Sequence, residues 1–195
     1  MSDPASRPDP SSDWRGILLA RHGETDDNRE PIRVQGFSDT PLNDVGRRQA
    51  TDLAQRVLPA GVRSLWSSDL SRARDTAAIV GARLGLETRL DDRLREADRG
   101  DWEGRRFIDI ERVEPERYAA WRRAGERFRF PGGVSLLEQQ RRVSDSLDEI
   151  HRQGLLPALV VCHGGSIRVT LCSRDPRGLD AFHEFVVPNV AVLAL

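Results

Sequence analysis

The chain has no lysine: all 30 of its basic residues are arginine. Set against 31 acidic residues, they leave a formal net charge of -1, which gives no bulk-charge basis for binding nucleic acid or an anionic membrane. Cysteine is almost absent too. Cys162 and Cys172 are too few for a disulfide framework and lack CxxC spacing, so buried reduced thiols in a cytoplasmic setting are expected. No apolar run approaches the roughly 20 residues that a membrane span needs. The opening MSDPASRPDPSSDW lacks the positive region and apolar core of a signal peptide. Its Pro, Ser and Asp content predicts a disordered tail over 1–14, leaving 15–195 as one domain.

What is present is an alternation of short apolar runs and amphipathic stretches. GILLA (16–20), VRSLW (62–66), LETRL (86–90), ALVVC (158–162) and NVAVLAL (189–195) read as strands. Between them, a helix capped by Asn43 is predicted to bury Val45, Ala50, Leu53, Ala54, Val57 and Leu58. A second helix over 70–85 ends at Gly85. A third starts at Ser135 with capping-box spacing to Glu138 and runs to about His151, turning Leu137, Val143, Leu147 and Ile150 inward. GSIRVTLC reads as a last helix. The stretch 101–130 mixes aromatics with arginines and acids and predicts a partly exposed helical excursion over the sheet rather than a core layer, with the part from Trp102 to Phe130 expected to form the pocket rim. Strands alternating with helices predict an α/β fold with a largely parallel sheet.

Two of the strands end in the same way. GILLA stops at Arg21-His22-Gly23 and ALVVC at His163-Gly164-Gly165. Ligands sit at the carboxyl ends of strands in open α/β sheets, glycine allows close backbone approach, and helix-start N–H groups favour anions. Phosphate fits this best. A lone strand-end histidine is most often structural, but two in one context point to a shared site. Neither lies in an HxH or HExxH cluster and Arg21 would repel a cation, so no metal is expected.

The motifs LARHGETDDN (19–28), QGFSDTPLNDVGRRQA (35–50), SSDLSRARDTA (67–77), LREADRGDWEG (94–104), FPGGVS (130–135) and VVCHGGSIR (160–168), in this order, resemble the histidine phosphatase superfamily, which includes cofactor-dependent phosphoglycerate mutases, broad-specificity phosphatases and α-ribazole phosphatase. The resemblance implies a phosphoglycerate mutase-like three-layer α/β/α sandwich with a mostly parallel central sheet. It also implies His22 as nucleophile forming a phosphohistidine, Arg21 and Arg72 as phosphoryl clamps, a protonated His163, and Glu96 as proton donor. Asn28, Gln35 and Gly36 would line the substrate side. No organic cofactor is implied, and the expected partner is a small phosphomonoester.

A phosphomonoester hydrolase is the favoured reading, since the chain is short and carries the GDWEG form of the phosphatase relatives. A phosphoglycerate mutase and a catalytically silent phospho-ligand binder are the alternatives, the last opposed by the presence of all five catalytic-type residues. Val134 departs from the glutamate that many relatives carry in PGGES. Asp98, Asp101 and Glu103 are expected to be solvated or structural, Arg74 to face solvent, His151 and His183 to be incidental, and Ser67 and Ser68 at most to support the site from behind.

Overall fold

The computed structural model describes residues 14–123, 125, 126 and 128–195. The tail predicted over 1–13 lies outside them, but Trp14, assigned to that tail by composition, is buried and donates its indole N–H to Asp148 at 2.7 Å. A side chain of that size withdrawn from water belongs to the packed chain, so the ordered part begins at least one residue earlier than expected.

Among the described residues, five strands form one sheet: β1 (Ile17–Arg21), β2 (Ser64–Ser67), β3 (Thr88–Leu90), β4 (Ala158–Cys162) and β5 (Val192–Ala194). They lie in the order β3-β2-β4-β1-β5, parallel except for the β1–β5 pair. Period-two alternation sorts the side chains onto two faces. Leu18 and Ala20 of β1, with Leu159 and Val161 of β4, meet α1 (Asp44–Val57) and α2 (Ser71–Leu84). Ile17 and Leu19, with Ala158, Val160 and Cys162, meet α5 (Leu136–Arg152) and α6 (Gly164–Cys172). The result is the largely parallel α/β fold that the strand and helix alternation predicts, in the three-layer α/β/α arrangement that the family resemblance implies.

Helix signals in the sequence hold closely. Asn43 accepts from the Gly46 amide, Gly85 closes α2 at φ +69°, and Ser135 and Glu138 form the capping box. The buried stripe of α1 differs: Val45 and Leu58 are exposed, and Gly46 takes an inner position. A Cβ there would stand 2.1 Å from the Glu24 carbonyl oxygen, and one on Gly23 would stand 2.5 Å from that of Gly46. The loop after β1 and helix α1 therefore touch backbone to backbone, which anchors the His22 segment against a rigid element.

The 101–130 stretch also departs from expectation. It forms α3 (Phe107–Val113) and α4 (Pro115–Arg123), but Trp102, Trp121, Phe128 and Phe130 are buried and join the core on the α5 side. Phe107 and Trp121 stack at 4.8 Å, and Trp102 meets Phe130 edge-on at 5.8 Å. The charged residues face outward; the aromatics pack inward as a layer of the core.

Candidate active site

Register brings the two histidines together. Arg21 of β1 pairs with Cys162 of β4, so the next residues, His22 and His163, leave adjacent strand ends side by side with ring centroids 5.3 Å apart. The His22 amide extends the ladder to the Cys162 carbonyl at 3.0 Å. On the other side of β4, Ser67 pairs with Val161, which places Ser68 beside His163 and starts α2 with Arg72 in its first turn. Glu96 arrives from the segment that follows β3. Arg21, His22, Arg72 and Glu96 line one cavity of about 330 Å³, and Gly164 and Gly165 bring the end of β4 to its wall, with His163 buried beside His22 rather than on the lining; the volume is at the lower end of the size range of small-molecule sites.

His22 is buried, and its Nδ1 lies 2.7 Å from the Gly23 carbonyl oxygen. A carbonyl can only accept, so Nδ1 carries the ring proton and Nε2 keeps its lone pair on the cavity side. Burial, and then the charges of Arg72, His163 and Arg21, push the His22 pKa well below that of a free imidazole. It is therefore neutral at neutral pH and remains so well into the acid range.

His163 is buried as well, and its protein surroundings disfavour the protonated form. Burial and the neighbouring Arg72 and Arg21 push its pKa well down. Its Nε2 lies 2.9 Å from Ser68 Oγ, and that hydroxyl oxygen already accepts from the Leu70 amide. In the tautomer in which that hydroxyl donates to Nε2, the ring proton sits on Nδ1. That Nδ1 is buried without a protein partner. In that tautomer His163 offers an N–H donor while uncharged. Ser68→Ala should free the tautomer and lower kcat/KM about tenfold with little change in Tm, as measured by steady-state kinetics beside thermal unfolding.

The arginines are tethered rather than mobile. Arg72 donates to the carbonyls of Ser38 and Gly36, both at 2.8 Å, and Arg21 to that of Val187 at 2.7 Å. Each keeps further N–H groups, and the Nε of both is buried without a partner, as is Asn28 Nδ2. A buried donor left unpaired costs roughly 1–3 kcal/mol, so these groups together with His163 Nδ1 form a cradle shaped for an anion. Burial lowers the Arg21 pKa to about 10, partly offset by Glu96. It stays charged at physiological pH.

Glu96 is surrounded by donors. Gln139 Nε2 at 2.7 Å and the Ala97 amide at 3.0 Å reach Oε1, the Gly165 amide at 2.8 Å reaches Oε2, and Arg99 lies 3.6 Å away. Burial alone would raise its pKa, but Arg99 and these hydrogen bonds outweigh burial and hold it below the usual range. It rests as a carboxylate. A Cβ on Gly165 would fall 2.0 Å from Glu96 Oε1, so Gly165→Ala should displace the carboxylate and lower kcat by about ten- to a hundredfold, more than it changes KM. Unchanged kinetics in that variant would mean the position of Glu96 is immaterial.

Of the expected substrate-side residues, Asn28 and Gln35 line the cavity, but Gly36 does not. Gly36 instead supplies a carbonyl to Arg72, in a loop whose Phe37 and Ser38 amides are held by the Glu103 carboxylate at 2.7 and 2.5 Å. Glu103 is therefore structural, as expected, and Arg74 is exposed and paired with Asp75. His183, read as incidental, lines the cavity with its Nε2 2.7 Å from the Trp121 carbonyl. Phe107, Trp121 and Arg122, from the stretch expected to form the pocket rim, line it too, as do Arg33, Arg99 and Arg168, which the sequence did not single out. Arg168 sits inside the HGGSIR motif and Arg99 three residues after Glu96, which were usable signals; His183 had none.

Among the described residues there is no group of three or more His, Cys, Asp or Glu side chains suited to a metal ion, and no helix is long and apolar enough to cross a membrane. Compared with known proteins, residues 17–195 match the family model described as histidine phosphatase superfamily (branch 1). A probable phosphoglycerate mutase GpmB of Yersinia enterocolitica is 39% identical over 171 residues, covering 82% of this chain and 76% of that one. A mycobacterial glucosyl-3-phosphoglycerate phosphatase solved with VO3 superposes with TM-score 0.83 at 32% identity, covering 91% of this chain and 90% of the other. An α-ribazole-5'-P phosphatase described as putative, from Escherichia coli, superposes with TM-score 0.75 at 26% identity, over 87% and 83% of the two chains.

Proposed function

This chain belongs to the histidine phosphatase superfamily, and from that premise we propose that it hydrolyses a small phosphomonoester through a phosphohistidine at His22. The observation that carries this reading is the His22 ring itself. Its Nδ1 is committed to Gly23, so a neutral Nε2 remains beside the unpartnered donors of Arg21, Arg72, Asn28 and His163.

In the first step Nε2 attacks phosphorus, the N–P bond forms and the bond to the leaving oxygen breaks. Glu96 in its acid form gives that oxygen a proton. An incoming phosphate dianion raises the Glu96 pKa by charge repulsion, and an ester below its second pKa of about 6 brings a proton of its own. In the second step Glu96, now a carboxylate, takes a proton from water as its oxygen attacks the phosphorus, and the P–N bond breaks to restore His22. Arg21, Arg72 and His163 Nδ1 meet the phosphoryl oxygens throughout, and their tethering means they need little reorganisation as charge shifts. Their positive charge and hydrogen bonds supply what a metal ion would otherwise contribute.

Phosphate release from p-nitrophenyl phosphate, glycerol 3-phosphate, 3-phosphoglycerate and α-ribazole 5'-phosphate, in excess chelator, tests the reading. Release is expected from at least one alkyl ester. Isomerisation of 3-phosphoglycerate without release would make the protein a mutase.

A further inference from the structure

The two carboxylate oxygens of Glu96 have unequal surroundings. Each such oxygen has about two lone-pair sites. At Oε1 both are taken, by Gln139 Nε2 at 2.7 Å and the Ala97 amide at 3.0 Å. At Oε2 the Gly165 amide donates at 2.8 Å, while Arg99 Nη2 stands off at 3.6 Å. Gly165 and Arg99 line the cavity, whereas Gln139 and Ala97 do not. The free lone pair therefore belongs to the oxygen on the cavity side.

Gln139 is a buried residue of α5, and what it faces fixes which way its amide points. Ser166 Oγ gives its single proton to the backbone carbonyl of Arg95 at 3.0 Å or of Leu94 at 3.3 Å, so toward Gln139 it can only accept. The Glu96 carboxylate can only accept as well. Gln139 Nε2 serves both, at 3.3 Å and 2.7 Å, and leaves its own Oε1 buried without a partner. An unpaired buried acceptor is costly, yet turning the amide over would set that oxygen against a carboxylate oxygen. One turn further along α5, Arg142 donates to the carbonyls of Arg93 at 2.8 Å and of Arg95 and Glu96 at 3.0 Å each. The backbone around Glu96 thus has its own anchor, which leaves Gln139 to the carboxylate.

We propose that Gln139 is a positioning residue for the proton-transfer steps: by closing Oε1 it confines the exchanging proton of Glu96 to Oε2, the oxygen that faces the substrate. The inference rests on the phosphatase reading of His22 and Glu96. In the first step the Oε2–H bond breaks as the leaving oxygen takes that proton; in the second an O–H bond of water breaks and the Oε2–H bond is restored.

Gln139→Leu keeps the approximate size of the side chain and removes its donor, which opens Oε1 to the proton on the side away from the cavity. With whichever of glycerol 3-phosphate, 3-phosphoglycerate and α-ribazole 5'-phosphate the wild type hydrolyses fastest, kcat should fall about tenfold or more. KM should change by less than about twofold, because Gln139 does not reach the cavity. Single-turnover release of nitrophenolate, which leaves without a proton, should change little. Carbon-13 NMR of protein labelled at glutamate Cδ, with the Glu96 signal identified by its loss in Glu96→Gln, supplies the second readout. Glu96 should titrate at a higher pH in Gln139→Leu than in the wild type, because a donor to the charged form has gone. The other groups acting on it, Arg21 of β1, Arg72 of α2, Cys162 of β4, Arg142 of α5, Arg168 of α6 and Arg99 of its own segment, are the same in both proteins. Gln139→Glu carries the same test if a thermal melt shows the apolar variant unfolded: the introduced carboxyl would share a proton with Oε1, and alkyl ester turnover should fall while nitrophenolate release persists. Wild-type turnover of the alkyl ester in a folded variant overturns the role of Gln139 and leaves the phosphatase reading standing. So does an equal loss for alkyl ester and nitrophenolate with the Glu96 titration unmoved. Absence of His22-dependent release from every ester overturns both.

Discussion

His22→Ala is expected to reduce turnover of every phosphomonoester by roughly four orders of magnitude or more, the scale seen when a covalent nucleophile is removed from a preorganised site. The effect should appear in kcat, since the donors around Arg21, Arg72 and Asn28 that hold the phosphoryl group are untouched. Fold is not the cause. His22 makes one side-chain hydrogen bond, to the adjacent Gly23 carbonyl, and truncation of one buried side chain of this kind costs about 1–3 kcal/mol. Kinetics with p-nitrophenyl phosphate beside a thermal melt separates the two, and a folded variant with ordinary turnover would remove His22 from the chemistry.

Glu96→Gln should slow alkyl phosphates by about a hundred- to ten-thousandfold and activated esters less in their first step, because p-nitrophenolate leaves without a proton. The second step still lacks its base. With p-nitrophenyl phosphate the variant should therefore give a rapid burst of nitrophenolate followed by slow turnover.

The pH dependence follows from the same two residues. His22 has a lowered pKa, so the nucleophile stays unprotonated as pH falls below neutrality. Glu96 also has a lowered pKa, so the acid form needed for the first step is lost early as pH rises. For alkyl esters kcat/KM should then peak on the acid side of neutrality and decline above a pH of about 6, where the ester loses its own proton. In Glu96→Gln only the decline due to the ester should remain. An optimum above pH 8 would contradict this assignment of roles.

Much of the architecture was legible because local signals agreed with one another. Asn43, Gly85 and the Ser135–Glu138 box mark helix ends by hydrogen-bonding rules that act within a few residues. His22 and His163 could be paired because each ends an apolar strand in the same way, and parallel register then did the rest. The residues that escaped are those placed by long-range packing. His183 lies 62 positions from Trp121 in the chain yet shares a hydrogen bond with it, and no periodicity announces such a contact. Gly36 was read as a lining residue when its carbonyl, which has no sequence signature, is what matters. His163 was read as charged because a cationic role suits phosphate; burial and the neighbouring Arg72 and Arg21 favour the neutral ring, a balance no sequence signal carries.

The absence of lysine takes on meaning at this site. Arg21 remains charged at neutral pH even with its pKa lowered to about 10 by burial, whereas a buried lysine can lose its proton. A cradle held by neutral carbonyls needs cations that survive desolvation.

The most direct measurement is on the bond itself. Glu96→Gln should be mixed with labelled p-nitrophenyl phosphate, quenched in base, which preserves an N-phosphorylated imidazole, and digested for peptide mass spectrometry. Phosphate on His22, approaching one equivalent per chain and absent from the Glu96→Gln, His22→Ala double variant, is the expected result. A nitrophenolate burst with no phosphate on His22, or with phosphate on another residue, would contradict the mechanism proposed for this fold.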